Sequence, residues 1–359
     1  MDKNPERLVS IDALRGFDMF WIMGGDYLVR SFRQVYDCPV TKTLEEHMEH
    51  VPYEGFHFYD FIFPLFLFIV GISISLALPR AIEKNGEKQV LKHIVTRSIL
   101  LFALGIFYMG GIANGLDNIC FAGVLQRISV AYFFAAILFC YFNNRALIII
   151  AAILLLGYYA ILALVPVPGF GVPSFEQGKN LAHYIDQWLP GQKFEGTILS
   201  TLGAVGNVLL GVLAGNFIKI KSYPQQKKVY TLLIVGVISL ISGYVWGIWF
   251  PVIKLMWTSS YVLVACGYGS ILLAVFYQLI EIWKYQKWAQ PFIWIGMNSI
   301  AIYIASSLLS LRKLSLRLVG GEVKDFLGNY SELVIACITL FFVFWLAKFL
   351  YDRKIFIKI

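Results

Sequence analysis

The sequence predicts an all-α, polytopic membrane bundle of about ten transmembrane helices. Three observations carry that expectation. Hydrophobic residues make up 58% of the 359-residue chain against 14% charged, with a mean hydropathy of +0.70. A soluble domain carries nearer a quarter charged residues, and disorder needs the opposite balance. Apolar runs of about 20 residues, the length that crosses a hydrocarbon core, recur along the whole chain. The basic residues behind the formal charge of +8 form no single block of the kind that contacts nucleic acid. They return instead in short loops between the apolar runs, as in multi-pass membrane proteins.

Charged residues and Gly or Pro punctuate the runs and set the limits of each element. The first, 11–30, follows the polar MDKNPERLVS and closes at Arg30. The second, 58–79, runs to Pro79-Arg80, and the third, 96–113, starts at the end of a basic stretch and stops at Gly110-Gly111. Next, 121–142 and 145–166 are divided by Asn143-Asn144-Arg145, and the latter ends in Pro166-Val167-Pro168-Gly169. Lys219 and Lys221 close 197–218; Lys227-Lys228 and Pro251 bound 228–250; and 258–281 is followed by Lys284 and Lys287. The last two, 290–311 and 331–351, stop at Arg312 and Asp352-Arg353. The whole chain, 1–359, is read as a single transmembrane domain with outside loops near 31–57 and 167–196. The second loop, rich in Gly, Pro and aromatics, reads as an ordered lid or a partly re-entrant segment.

With the N-terminus in the cytoplasm, 19 of the 30 Lys and Arg residues fall in inside segments, ten fall outside, and Arg127 lies within a span. This bias places both termini in the cytoplasm. The N-terminus carries acids into the first span, which is not the pattern of a cleavable signal peptide. Five cysteines lack CxxC spacing, and Cys140, Cys266 and Cys337 sit in apolar runs as core packing. Cys38 and Cys120 both fall in outside loops, where a disulfide between them is open.

A charge at membrane depth costs about 3 kcal/mol or more unless it is paired or wetted, so intramembrane ionisable residues are candidate functional groups. In the first span, Asp12, Arg15, Asp18 and Asp26 fall at 0°, 300°, 240° and 320° on a straight helix, within an arc of about 120°. That single polar stripe is either a substrate path or a set of pairings with neighbouring helices. Asp12 and Arg15, one turn apart, also suit a local salt bridge. Asp26, Asp60 and Arg127 form a second group in the outer half, where an Arg between two carboxylates would neutralise all three. Asn207 and Asn298, near mid-span, are suited to interhelical hydrogen bonding.

Of the five histidines, His47, His50 and His57 cluster in HMEHVPYEGFHFYD. Their spacing, even with Glu46, Glu49 and Glu54 nearby, matches no tight metal signature, and no metal is expected. His93 reads as solvated in an inside loop, and His183, on the second outside loop, as a substrate-binding candidate. His50 lies ten residues before Asp60, on the loop entering the membrane at the outer end of the stripe. An imidazole there is suited to removing a proton from an amine or hydroxyl.

Several short motifs then occur in order: Arg7-Leu8 with Ser10-Ile11-Asp12-Ala13-Leu14-Arg15-Gly16; His50 followed by Gly55, Asp60, Phe63-Pro64 and Phe66 to Gly71; Arg97-Ser98; and Gly123-Val124-Leu125-Gln126-Arg127. Pro166 to Gly169, Tyr184-Ile185-Asp186, Glu195-Gly196, Trp257 with Ser260-Tyr261, Gly296-Met297-Asn298-Ser299 and Lys358-Ile359 follow. Through these the chain resembles the lysosomal heparan-α-glucosaminide N-acetyltransferase family and its bacterial relatives, within the wider transmembrane acyltransferase group. The resemblance implies a multi-pass enzyme of the cytoplasmic (inner) membrane. It would take acetyl from cytoplasmic acetyl-CoA and deliver it to the amine of a glucosamine-type sugar or glycan end on the far side. His50 falls on the family's active-site histidine, with the interval to Asp60 preserved. The lysosomal enzyme's extra luminal region and further span have no counterpart ahead of the Asp12 segment.

Two departures stand out against the family pattern. Val51-Pro52-Tyr53-Glu54 replaces a small residue followed by a Trp-Asn pair, so Tyr53 and Glu54 join His183 as candidate acceptor-binding residues. Asp26 stands where the family has an Asn thought to share in catalysis, and an ionised Asp cannot donate a hydrogen bond. The implied catalytic set is His50, Asp26, Asp60 and Asn298, with His50 either deprotonating the amine or carrying the acetyl group. Asn298 or a backbone amide near Gly24-Gly25 would serve the oxyanion, and Asp60 with Arg127 would orient His50. Arg15, Arg97 and Arg127, with Asp12, form the candidate acetyl-CoA set, and the pantetheine arm would follow the stripe. Membrane lipids and, by resemblance alone, a second copy in a homodimer are the expected partners; nucleic acid is not. The rival reading is an amino-sugar transporter using the same polar pathway.

Overall fold

The computed structural model describes residues 8–188 and 197–356. Lys3, Arg7, Glu195-Gly196 and Lys358-Ile359 lie outside those residues, as does the 189–196 portion of the second outside loop.

Helices account for nearly all regular structure among the described residues; the exception is an isolated bridge between Glu54 and Ile253. In chain order they are α1 (Val9–Phe20), α2 (Asp26–Val35), α3 (Pro39–His47), α4 (Phe58–Asn85), α5 (Glu87–Tyr108), α6 (Val124–Tyr141), α7 (Asn144–Leu164) and α8 (Leu181–Asp186). Then come α9 (Ser200–Ile218), α10 (Gln225–Gly247), α11 (Ser259–Tyr277), α12 (Gln290–Met297), α13 (Ser299–Leu308), α14 (Leu311–Leu318), α15 (Glu322–Leu327) and α16 (Ser331–Asp352). Several starts follow from sequence. Asn143 caps α7 by accepting from the Ala146 amide at 3.0 Å, and Asn180 caps α8 by accepting from the His183 amide at 2.8 Å. Proline opens α3 and stands in the first turn of α12, where a missing N–H costs nothing.

Among the described residues, eight helical segments are long and apolar enough to cross a membrane, and α12 with α13, bent by 82°, makes up to nine. These correspond to nine of the ten runs read from the sequence. The remaining run, 11–30, folds as α1 and α2, and its charges set it apart from the others. The two helices are joined through a π turn over Trp21–Gly25, in which Gly24 adopts φ 134° and ψ −2°. The uniform 100° spacing behind the predicted stripe therefore stops at Gly24, and Asp26 does not follow Asp18 as it would on a straight helix.

The chain packs as two compact units. One gathers the described residues up to Val51, His57–Ile62, and those from Leu273 onward. Here α1 lies against α12 with almost no side chain between them. A Cβ at Gly16 would sit 1.7 Å from the Phe292 carbonyl oxygen, and one at Gly296 would sit 1.8 Å from that of Asp12. Without a solvent-driven hydrophobic force in lipid, such close backbone approach is a main source of helix association. Phe17, Phe20 and Phe292 fill the flanks of this crossing edge to face. Gly296→Ala is accordingly expected to cost about 3 kcal/mol, read as a melting temperature lowered by several degrees in detergent. Gly157→Ala, where nothing lies within 4 Å, should leave it unchanged.

The second unit holds residues 52–56 and 63–272. It repeats the same device between α4 and α9: a Cβ at Gly71 would lie 2.0 Å from the Val208 oxygen, and one at Gly211 would lie 2.1 Å from that of Phe68. Asn207, fully buried, donates to the Pro64 carbonyl at 3.1 Å, an interhelical hydrogen bond of the expected kind. Val167, Leu181 and Ala182 of the loop after α7 and of α8 are buried with Tyr158, Phe250 and Met256 in one apolar cluster. The described part of that loop is thus anchored by packing. All five cysteines are free thiols, so the bridge left open between Cys38 and Cys120 is not formed.

Candidate functional site

The chain leaves α3 at His47 and must turn before α4 begins at Phe58. Asp60 occupies the third position of α4, from which a carboxylate reaches back to the amide preceding the helix, as in half of a capping box. Its Oδ2 accepts from the His57 amide at 3.1 Å and from the Val51 amide at 3.2 Å. Its Oδ1 accepts from His50 Nδ1 at 2.8 Å. The Asp60 side chain is 1% exposed, whereas that of His50 is 52% exposed. Three donors converging on one buried carboxylate offset the cost of removing its charge from water. The same arrangement fixes the imidazole: with Nδ1 donating to Asp60, the ring's lone pair is on Nε2.

Two aromatic groups complete this corner. The His50 ring lies 4.9 Å from that of Tyr59, tilted by 35°, and Tyr59 lies within electrostatic reach of Asp26, Arg30 and Asp18. His57 turns its Nδ1 onto the Glu49 carbonyl at 3.0 Å, closing the loop on itself, with its ring 5.2 Å from that of His47. Among the described residues, no three His, Cys, Asp or Glu side chains are placed to hold a metal ion.

The stripe residues have separate partners. Arg15 pairs with Asp12 at 3.4 Å, the local bridge foreseen, and also donates to the Gly296 carbonyl at 3.2 Å. Asp26 pairs with Arg30 at 2.5 Å, one turn further on. Asp18 is fully buried, and neither carboxylate oxygen meets a partner among the described residues. Asn298 stands at the break between α12 and α13, where its Nδ2 donates to the Ile355 carbonyl at 2.9 Å.

The other candidates lie in the second unit. Arg127 donates to Ser200 Oγ at 2.9 Å, with its guanidinium 4.8 Å from the centroid of Trp257. Arg97 lies 4.6 Å over the Tyr132 ring. The Tyr53 hydroxyl donates to the Phe175 carbonyl at 2.7 Å and accepts from Asn180 at 3.2 Å, while Glu54 pairs by its backbone with Ile253 and is exposed. His183 is half-buried in α8. Asp186, also buried, accepts from the Ile198 amide at 3.0 Å and from that of Thr197, tying α8 to the start of α9.

A dyad of accessible imidazole and buried carboxylate on a bundle of membrane helices can be set beside known proteins. The profile of heparan-alpha-glucosaminide N-acetyltransferase, catalytic, matches residues 7–246. The chain belongs to this family. The human heparan-alpha-glucosaminide N-acetyltransferase is 26% identical over 436 aligned positions, covering 99% of this chain and 60% of the human protein. Its mouse counterpart is 25% identical over 338, covering 73% of this chain and 49% of the mouse protein. The chain therefore spans between about half and three fifths of the length of these curated relatives. The matched N-acetyltransferase segment contains His50, Asp60, Asp26, Arg97, Arg127 and His183, and leaves out Asn298.

Tyr59 and the Val51 and His57 amides were not singled out from the sequence. The His57-x-x-Asp60 spacing ahead of an apolar run was the available signal, since an acid three residues past a helix start commonly turns back to the first amides. Ser200 and Trp257, beside Arg127, gave no comparable signal.

Proposed function

We propose that this N-acetyltransferase family member is a membrane-embedded enzyme that moves acetyl from cytoplasmic acetyl-CoA to the amine of a glucosamine-type sugar on the extracytoplasmic side. Both termini lie in the cytoplasm of the inner membrane in this reading. The observation that carries it is the contact of His50 Nδ1 with the buried Asp60 carboxylate. It gives the imidazole the tautomer needed by a base or an acyl acceptor, with a second group holding the ring. As base, Nε2 takes a proton from the attacking amine while the C–N bond forms and the C–S bond breaks; the thiolate of CoA receives that proton. As acyl carrier, Nε2 first attacks the thioester, the C–S bond breaks and CoA leaves as the thiolate; the amine then attacks the acetyl carbon, the bond to Nε2 breaks, and the amine's proton returns to the freed imidazole. A trapped acetyl-histidine separates the two routes. In this reading Arg15, midway along α1, and Arg97, midway along α5, are the candidate partners of the CoA phosphates, and Tyr53, Glu54 and His183 the candidate acceptor contacts.

Liposomes test the vectorial claim. With labelled acetyl-CoA on the face bearing the termini and glucosamine on the other, labelled N-acetylglucosamine is expected on the glucosamine side, and none when the two are exchanged. Glucosamine uptake independent of acetyl-CoA, with no labelled product, would instead identify a transporter.

A further inference from the structure

Buried polar side-chain atoms without a hydrogen-bond partner are concentrated on the first helical run. Of twelve such atoms among the described residues, six lie between Ser10 and Arg30: Ser10 Oγ, both oxygens of Asp18, Trp21 Nε1, Tyr27 OH and Arg30 Nε. Native interiors satisfy nearly all such groups, so a cluster of exceptions calls for an explanation, and a bound water, ion or ligand is one that supplies the absent partners. Asp18 is the most costly member. It is 0% exposed, and unlike Asp60, which three donors satisfy, its oxygens meet no donor among the described residues, so a bound cation would supply both the charge and the hydrogen bonds that burial withholds. The other two acids of the run already have one: Asp12 meets Arg15, and Asp26 meets Arg30.

We infer that Asp18 is the cation-binding group of this stripe and takes a primary ammonium, the protonated amine of the acceptor. This rests on the proposed acetyl transfer to an amine: the ammonium passes one proton to the Asp18 carboxylate on becoming the nucleophile, while Asp26 stays paired with Arg30. The orphaned donors on the same run then face the acceptor's hydroxyl oxygens: Trp21 Nε1 lies one turn beyond Asp18 and the Tyr27 hydroxyl lies further on. Tyr59, beside His50, is within electrostatic reach of Asp18, which connects the cation site to the His50 corner. An alkali metal ion shares the charge chemistry and is the alternative source to be separated by experiment.

Purified full-length protein is titrated with glucosamine and with glucose by calorimetry, in NaCl and in KCl at equal ionic strength. Wild type should bind glucosamine about ten- to a hundredfold tighter than glucose, equally in both salts. Asp18→Asn should lose that preference, Asp18→Glu should keep it, and His50→Ala should keep it because binding does not require transfer. The glucosamine-free melting temperature of Asp18→Asn should be no lower than that of wild type, because Asp18 has no hydrogen-bond partner among the described residues to lose. Retention of the preference in Asp18→Asn, its absence in wild type, or its loss on exchanging one alkali ion for the other would each overturn the inference. The acetyl-transfer reading fails separately: it is lost if labelled acetyl never reaches glucosamine, whatever the binding shows.

Discussion

Replacing His50 with alanine is expected to lower kcat for acetyl transfer by at least about 10³-fold, the range in which a general base or covalent carrier acts, with the melting temperature close to that of wild type. The two halves of that expectation have different physical origins. The imidazole is half in solvent, so its removal buries no cavity. Asp60 retains the Val51 and His57 amides as donors, so the carboxylate is not abandoned. Labelled acetyl transfer gives the first quantity and thermal denaturation in detergent the second. A His50→Ala protein with more than a tenth of wild-type turnover would falsify the assignment, and a large fall in melting temperature would assign His50 a structural role.

Asp60 should behave in the opposite way, because it serves both the fold and the site. In Asp60→Asn the amide accepts through one atom only, and its NH₂ faces groups that are themselves donors. The His50 ring is then free to take the wrong tautomer, and a kcat loss of about 10³- to 10⁴-fold is expected, as for other base-orienting carboxylates. In Asp60→Ala the two backbone amides lose their acceptor as well, which adds a stability cost of about 2 to 5 kcal/mol. The measurement is the comparison of the pair: the asparagine variant should lose activity with a modest change in melting temperature, and the alanine variant should lose both. Equal destabilisation in the two would show that the charge of Asp60, and not its hydrogen-bond geometry, holds the loop.

Most of the architecture was legible because membrane spans are written in composition. Eight of the ten apolar runs reappear as helices long and apolar enough to span, and a ninth as the bent α12–α13 pair, because a 20-residue apolar stretch has few other stable states. Two irregularities were not legible. The 100° spacing of the first span holds only on one continuous helix, and Gly24 departs from helical dihedrals; a Gly24-Gly25 pair inside an apolar run suits a close backbone amide as well as a break. The 290–311 run was read as continuous because nothing in Gly296-Met297-Asn298-Ser299 forbids a helix. At its bend Asn298 donates to the Ile355 carbonyl, a partner far away in sequence. In the site, the His50 and Asp60 interval was local and could be read from spacing. The surroundings of Arg127 could not, because Ser200 and Trp257 reach it only through tertiary packing.

The 82° bend between α12 and α13 has a consequence for how the protein is made. With 8 and 10 residues, these half-helices measure about 12 and 15 Å, and neither reaches across a hydrocarbon core of about 30 Å. The peptide groups freed at the break have no lipid-compatible partner until protein surrounds them. A straight segment can leave the insertion machinery on its own as soon as it is translated, but this one has to wait. Its supports are α1, synthesised long before, and α16 with the Ile355 carbonyl, synthesised afterwards. Assembly of this region is therefore a late, post-insertion event, and nascent chains halted before α16 should expose the α12–α13 pair to membrane quality control even when every earlier span is in place.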